Sequence, residues 1–109
     1  GEVPAERVIF RTGALELNPE SHIVTLHGAR VDLTPSEFAL LQTLIARPGR
    51  VFTRMELLDV VQGEAYAAYE RTIDVHVKNL RIKIEDDPRD PHYVETVYGV
   101  GYRMRPDSE

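Results

Sequence analysis

The sequence contains no cysteine, and this absence excludes several kinds of site. A disulfide framework, a zinc site with thiolate ligands and a cysteine nucleophile all require the thiol group. No apolar run approaches the roughly 20 residues that a membrane-spanning helix needs. The N-terminal stretch GEVPAERV also lacks the basic-then-apolar order of a signal peptide. We therefore expect a protein of the reducing cytoplasm, with no membrane partner and no cofactor.

Positive charge is also scarce over the whole chain, but it is concentrated in one segment. The chain has 13 Lys and Arg against 18 Asp and Glu, a net charge of -5, whereas nonspecific DNA affinity comes mainly from cations that neutralise phosphates. The distribution of charge is more informative than its sum. From Arg71 to Lys83, four cations stand against one anion, a local charge of +3, so the rest of the chain carries -8.

The first third of the chain has the pattern of a small antiparallel sheet. The 109 residues, 42% of them apolar, suit one domain with one hydrophobic core. Residues 8–33 alternate apolar and polar positions in short runs, broken by Asn18-Pro19-Glu20-Ser21 and His27-Gly28-Ala29, which are typical of turns. We assign residues 1–7 to a linker remnant, residues 8–105 to the domain and residues 106–109 to a tail.

Two capping boxes predict the first two helices. Thr34-Pro35-Ser36-Glu37 places a Thr at the N-cap, a Pro at the first helical position and a Glu three residues after the cap. That helix ends at Arg47-Pro48-Gly49, where Pro and Gly interrupt the helical ladder. Thr53-Arg54-Met55-Glu56 opens a shorter second helix. Two capped helices joined by a tight turn are typical of a helix-turn-helix motif.

A third and longer helix begins at about Glu70 and ends at Asp87-Pro88. Two strands, residues 93–97 and 102–105, then flank Tyr98-Gly99-Val100-Gly101 and predict a closing hairpin. Helical spacing assigns the core stripe of the third helix to Ile73, Val77, Leu80 and Ile84.

The face of the third helix opposite that stripe carries Arg71, Val75, Lys78, Asn79 and Ile82. A helix that reads DNA needs cations for phosphates, an amide or Arg for base edges and small apolar groups for thymine methyls. Lys78, Asn79 and Val75 supply these three types. The same face could equally be a solvated helix surface with ordinary charges, and composition alone does not separate the two interpretations.

Five blocks of residues match a known family in their order and spacing. Together they resemble the DNA-binding effector domain of OmpR/PhoB-type response regulators, from about residue 8 to residue 105. The blocks are Leu33-Thr34-Pro35-Ser36-Glu37-Phe38, then Leu40-Leu41, then Gly49-Arg50-Val51-Phe52-Thr53-Arg54 with Leu57-Leu58, then Arg71-Thr72-Ile73-Asp74-Val75-His76-Val77 with Leu80-Arg81, and finally Thr96-Val97-Tyr98-Gly99-Val100-Gly101-Tyr102.

The resemblance implies an α+β fold, a winged helix-turn-helix with an N-terminal four-stranded antiparallel sheet, three helices and a C-terminal β-hairpin wing. The third helix would lie in the major groove and the wing would approach the neighbouring minor groove. Val75 and Asn79 would read bases. The phosphate and major-groove set would also include Arg71, Thr72, His76, Lys78 and Arg81, and the wing set would be Tyr98, Gly99, Arg103 and Arg105.

The resemblance also implies a role and partners. It predicts sequence-specific binding of double-stranded DNA, as the output domain of a two-component response regulator that controls transcription. The expected partners are an upstream receiver domain phosphorylated on Asp, and RNA polymerase. On DNA, a dimer would bind direct repeats head to tail. The polymerase contact would lie in the loop of Gln62, Gly63, Glu64, Ala65 and Tyr66. The alternative is a winged helix used mainly for protein–protein interaction.

Three positions depart from the family pattern. Tyr98 stands where relatives often have an Arg that reaches into the minor groove, so the attraction to a narrow groove is reduced. Asn79 replaces a second basic residue, so a phosphate contact gives way to a bidentate contact with adenine. Gln62 replaces a frequent Trp at the end of the second helix. Together these departures leave the target sequence open.

Several residues have an ordinary structural interpretation beside a chemical one. His76 could contact phosphate, act as a pH-sensitive switch or be partly buried, and it has no partner at a metal-ligand spacing. Gly99 and Gly101 lie between strands rather than before a helix, so we interpret both as turn glycines and not as a phosphate cradle. Glu85-Asp86-Asp87 could be a carboxylate cluster, but a solvated helix end is favoured. No nucleophile–base pairing stands out, and no catalysis is expected.

The substitution Tyr98→Arg tests whether the wing enters the minor groove. A Tyr brings no charge that could release a counterion, so the variant is expected to bind DNA more tightly, with a salt dependence steeper by about one unit. It should also prefer A·T-rich flanks, and its thermal stability should be nearly unchanged because a hairpin tip contributes little to a core. The measurement is a titration of both proteins on two sites that differ only in the flanking A-tract. Weaker binding of the variant to both sites would show that the wing is misplaced.

Overall fold

The computed structural model describes residues 8–61 and 70–106, except for the side chains of Glu70 and Arg71. The described residues form the predicted four-stranded sheet, three helices and closing hairpin, which confirms the α+β winged architecture. In chain order the elements are β1 (Phe10–Thr12), β2 (Leu15–Asn18), β3 (Ile23–Leu26), β4 (Ala29–Val31), α1 (Pro35–Ile45), β5 (Phe52–Thr53), α2 (Arg54–Val61), α3 (Glu70–Ile84), β6 (Val94–Val97) and β7 (Gly101–Met104).

The N-terminal sheet is an antiparallel meander in the order β1-β2-β3-β4. Leu15 and Leu17 of β2 are fully buried and face the helices, whereas the residue between them is partly exposed, as the alternation of a strand requires. The predicted turn after β2 is confirmed, because the Asn18 side-chain oxygen accepts hydrogen bonds from the backbone N–H groups of Glu20 and Ser21.

Both predicted capping boxes are present and fix where α1 and α2 begin. The backbone N–H of Glu37 donates to the Thr34 hydroxyl at 3.2 Å, and the backbone N–H of Thr34 donates to the Glu37 carboxylate at 3.0 Å. Thr53 and Glu56 make the same reciprocal pair at 3.1 and 2.9 Å. Each pair satisfies donors that the first turn of a helix leaves without partners.

The hydrophobic core lies between the N-terminal sheet and the three helices. Its α3 side is the predicted stripe, since each of its four residues is at most 1% exposed. Leu40, Leu41 and Leu44 of α1, and Leu57 and Val61 of α2, also belong to the core, as do Val94 of β6 and Met104 of β7. Apolar contacts along the buried stripe therefore fix α3 against the core. The opposite face of α3 lies at the protein surface. In the part of the chain that the structure describes, no helix is long and apolar enough to cross a membrane.

The wing contains a third strand that the sequence did not predict. β5 pairs with β7, so the C-terminal sheet has the order β5-β7-β6, with Phe52 opposite Tyr102 and Thr53 opposite Gly101. A Cβ atom at position 101 would lie 1.9 Å from the carbonyl oxygen of Phe52. The interpretation of Gly101 as a turn glycine is therefore wrong, because it permits this close strand pairing. Gly99, with φ +80°, is the turn glycine.

The prediction that the acidic end of α3 is simply solvated is wrong for Glu85. This residue is only 6% exposed. Its carboxylate accepts hydrogen bonds from the backbone N–H groups of His92, Tyr93 and Val94, at 2.6, 3.0 and 2.9 Å. Glu85 therefore joins the end of α3 to the beginning of β6, which places the wing beside that helix.

The substitution Gly101→Ala is expected to destabilise the domain, because the new methyl group must push β5 away from β7. The expected loss in free energy of unfolding is about 3 kcal/mol. Gly99→Ala is the control: no atom lies within 4 Å of its added Cβ, and only the left-handed backbone conformation opposes it, by about 1 kcal/mol. Urea unfolding of both variants measures the difference. Equal losses would mean that the β5–β7 contact yields to the added methyl group.

Candidate nucleic-acid interface

The exposed side of α3 combines apolar and polar groups. Val75 and Ile82 are 55% and 58% exposed, Lys78 is exposed and Asn79 is half-buried. We call these four residues the outer face of α3. Their side chains project opposite the buried stripe, because residues three, four and seven apart share one side of a helix. Three of them, Val75, Lys78 and Asn79, belong to the predicted DNA-contact set; the same set includes Thr72 and His76, which are half-buried on the flanks.

The cations of α3 do not act as one basic group. Lys78 makes no hydrogen bond or ion pair with any other residue that the structure describes. Arg81 instead donates to the Val94 carbonyl at 2.7 Å and to the Thr96 hydroxyl at 2.8 Å, and Lys83 pairs with the Glu37 carboxylate at 2.6 Å. The side chain of Arg71, a predicted phosphate contact, lies outside the described residues.

The ion pair between Lys83 and Glu37 joins the end of α3 to the beginning of α1. Burial raises the pKa of Glu37, but the hydrogen bonds from Lys83 and Thr34 lower it by more, so its pKa lies below the ordinary value. Glu37 therefore has two functions: it completes the cap of α1 and holds the last turn of α3. Sequence reasoning found the first function from local spacing and could not find the second, which depends on a contact across 46 positions of the chain.

A second polar cluster, which we call the wing cluster, consists of Arg54, Asp74, Arg81 and Tyr102. The Asp74 carboxylate accepts hydrogen bonds from the Arg54 guanidinium and from the Tyr102 hydroxyl, both at 2.7 Å. The guanidinium carbons of Arg54 and Arg81 lie 5.6 and 5.5 Å from the centre of the Tyr102 ring, within the range of cation–π attraction. The wing cluster thus connects α2, α3 and β7.

The electrostatics of the wing cluster keep Asp74 ionised at neutral pH. Burial raises the pKa of Asp74, but the hydrogen bonds from Tyr102 and Arg54 together outweigh it, so the pKa lies below its ordinary value. The pKa of Tyr102 is raised, first by burial and then by its hydrogen bond to Asp74. The hydroxyl therefore stays protonated and continues to donate to the carboxylate.

The wing tip is exposed, and the cations behind it are paired. Tyr98 is 89% exposed and Val100 is 47% exposed, on either side of Gly99. Arg103 and Arg105 donate to the two carboxylate oxygens of Glu95, each at 2.8 Å. Burial raises the pKa of Glu95, and the hydrogen bonds from Arg105 and Arg103 lower it by more. The predicted wing cations are therefore partly neutralised inside the hairpin.

The predicted contact residues that the structure describes lie on α3 and on the wing, which are neighbours in the fold. The outer face of α3 and the wing are adjacent, because Glu85 and Arg81 connect α3 to β6. The predicted polymerase-contact residues Gln62, Gly63, Glu64, Ala65 and Tyr66 lie outside the described residues. Arg81 is the predicted phosphate contact whose position differs most from expectation, since its guanidinium is directed at the wing.

A family model described as "Transcriptional regulatory protein, C terminal" matches residues 28–104. The chain belongs to this family. It is 45% identical over 103 residues to the DNA-binding response regulator MtrA of Mycolicibacterium smegmatis, covering 94% of this chain and 44% of MtrA. The chain therefore spans less than half the length of that relative.

Solved structures of this family have the same fold. The response regulator DrrB of Thermotoga maritima, an OmpR/PhoB homologue, matches with a TM-score of 0.82 and 34% identity, over 89% of this chain and 44% of DrrB. The RstA DNA-binding domain of Klebsiella pneumoniae, solved in complex with the RstA box, matches with a TM-score of 0.79 and 31% identity, over 90% of this chain and 97% of that domain. The OmpR/PhoB resemblance and the winged helix-turn-helix fold are thus confirmed.

The depressed pKa of Asp74 predicts a pH-dependent contribution to stability. A carboxylate whose folded-state pKa is lowered stabilises the fold at pH values above its ordinary pKa of 3.8. This contribution is lost as pH falls through the lower folded-state pKa. Asp74→Asn should therefore be less stable than the parent chain at pH 7, and the difference should shrink below about pH 4.

Urea unfolding at pH 7, 4 and 3 measures this difference. Asp86→Asn is the matched control, because Asp86 is exposed and makes no hydrogen bond with another described residue. It should follow the parent chain at every pH. A constant difference between Asp74→Asn and the parent chain would show that the Asp74 ion pair does not supply the pH-dependent part.

Proposed function

We propose that this chain binds double-stranded DNA sequence-specifically and without catalysis, as the output domain of a two-component response regulator that controls transcription. The observation that carries the proposal is the surface position of the outer face of α3 next to the wing. Hydrogen bonds of Glu85 and Arg81 hold the wing in place. MtrA is named a DNA-binding response regulator, and the related RstA domain is solved on its DNA. Both relatives support DNA binding as the function of this chain.

The outer face of α3 is suited to enter a major groove as a rigid element. The buried stripe fixes one side of the helix in the core, and Glu37, Asp74 and Glu85 bind other elements to its beginning and end. A reading element that is ordered before it binds loses less conformational entropy on binding. The helix and the wing would therefore meet the two grooves in a fixed relative position.

The charge pattern favours base reading over strong phosphate attraction. Lys78 is the α3 cation that remains without a partner among the described residues, and the chain as a whole carries -5. Phosphate contacts from Lys78, Arg71, Thr72 and His76 would orient the helix, whereas Val75 and Asn79 would contact base edges. We therefore expect modest affinity for random DNA and a shallow salt dependence compared with a basic domain.

The full protein would carry further parts of this function. We infer an upstream receiver domain, because relatives such as MtrA and DrrB are more than twice as long as the matched region. Binding of direct repeats by a head-to-tail dimer, and contact of residues 62–66 with RNA polymerase, are the assembly that we propose on DNA. A role in transcription control of a bacterium places the protein in the cytoplasm, where the DNA is.

The test of this function is a selection of bound sequences from random double-stranded DNA by the 109-residue chain. Repeated selection should converge on one sequence. A mobility shift on that sequence should survive moderate salt and an excess of competitor DNA. Recovery of unrelated sequences, or loss of the shift on adding competitor, would support the protein–protein interaction alternative instead.

Lys78 and Arg81 should respond differently to truncation, because only Lys78 is free to contact phosphate. Lys78→Ala should weaken binding to selected and random DNA alike and reduce the salt slope by about one unit. Arg81→Ala should weaken binding to the selected site by loosening the wing, with the salt slope unchanged.

Arg81→Lys is the control for this prediction. It keeps the charge but not the two-nitrogen contact with the Val94 carbonyl, so it should behave like Arg81→Ala. Titrations at four salt concentrations measure the slopes. A slope lowered by one unit in Arg81→Ala and restored in Arg81→Lys would identify Arg81 as a phosphate contact, as the sequence alone predicts.

A further inference from the structure

The last turn of α3 exposes an aliphatic side chain, that of Ile82. Ile82, at 58% exposure, is the most exposed aliphatic residue among the exposed large hydrophobic residues that the structure describes. Its two neighbours are cations, but both are paired with groups of the protein. Arg81 is bound to the β6 backbone and Lys83 is bound to Glu37. This turn therefore presents a hydrocarbon surface and no free positive charge.

Ile82 lies on the same side of the helix as Val75, two turns further along. The intervening outward positions are polar, Lys78 and Asn79. Seven residues at 1.5 Å each separate Val75 and Ile82 by roughly 10 Å along the helix axis, the length of about three base-pair steps. The outer face of α3 thus alternates apolar, polar and apolar groups at the spacing of bases in one groove.

We propose that Ile82 is a specificity-determining residue that packs against the methyl group of a thymine in the major groove, about three base pairs from the base that Val75 contacts. The proposal rests on the proposed function. The thymine methyl is the apolar group on a major-groove base edge. Placing Ile82 against a donor or acceptor edge would instead bury that polar group without a hydrogen bond, which is unfavourable. Ile82 would therefore select for thymine and also reject other bases.

The isolated position of Ile82 argues for DNA rather than for a protein partner. Protein docking sites are contiguous apolar patches, whereas Ile82 is separated from Val75 by Lys78 and Asn79 on its own face. A single methyl-sized contact between polar groups fits the edge of a base pair. The surface is also continuous with the proposed DNA-contact residues, so one docked duplex covers both.

Single thymine-to-deoxyuridine replacements test the proposal, because deoxyuridine lacks only the methyl group. The probe is the sequence that the parent chain selects from random DNA, with each thymine replaced in turn. Loss of one buried methyl contact is expected to weaken binding about fourfold at each contacted thymine. In Ile82→Ala, the loss at one thymine should disappear while the other losses remain.

Two variants serve as controls. Val75→Ala should remove the methyl effect at a different thymine, about three base pairs away. Ile9→Ala truncates another exposed isoleucine, which is 41% exposed and precedes β1. It should leave unchanged the uracil profile, by which we mean the set of affinity losses caused by each thymine-to-deoxyuridine replacement. Both Ile82→Ala and Ile9→Ala alter exposed side chains, so the fold should be retained, which circular dichroism checks.

The outcomes separate this proposal from the function on which it rests. An unchanged uracil profile in Ile82→Ala, with sequence-specific binding retained, overturns the assignment of Ile82 and leaves the proposed function intact. A loss of equal size on every probe overturns it as well, because that result identifies a backbone contact. Failure of the selection to converge on any sequence overturns the proposed function itself.

Discussion

One carboxylate, that of Asp74, links α2, α3 and the wing, the elements that we propose to contact DNA. It accepts hydrogen bonds from Arg54 at the beginning of α2 and from Tyr102 in β7, while its own backbone lies in α3. The helix-turn-helix and the wing are therefore joined through Asp74, in addition to the contacts of Glu85 and Arg81 with β6. Because Tyr102 also lies beneath the Arg81 guanidinium, which binds the β6 backbone, movement of any one element would strain the others. The geometry of the outer face of α3 depends on this junction.

The acidic composition has a structural explanation in the same terms. Three carboxylates, those of Glu37, Asp74 and Glu85, accept hydrogen bonds that anchor α3, and Glu37 and Glu85 are buried. Two α3 cations are paired within the domain: Lys83 with Glu37, and Arg81 with the backbone of β6. The positive segment that the sequence shows is therefore partly internal, and the surface that remains combines one lysine with amide and aliphatic groups. Such a surface discriminates by fit more than by charge.

Local signals predicted much of this architecture. The caps at Thr34 and Thr53, the buried stripe of α3 and the turn at Asn18 each depend on residues within a few positions of one another, so the sequence contains the whole interaction. β5, Glu85 and Arg81 could not be predicted in this way. A two-residue strand has no periodicity. The partners of Glu85, and the Val94 carbonyl that Arg81 contacts, are backbone groups, which leave no trace in residue identity. Their roles appear only when distant segments are brought together.

The hydrogen bonds of Glu85 to the backbone of residues 92–94 also determine which segment of this domain can change in length. One side chain ties the end of α3 to residues 92–94, so the intervening segment 86–91 is a loop whose two ends are fixed independently of its contents. The entropy of closing such a loop grows only slowly with its length. Changes in the length of this loop are therefore expected to cost little and to leave the wing beside α3, because Glu85 holds the start of β6.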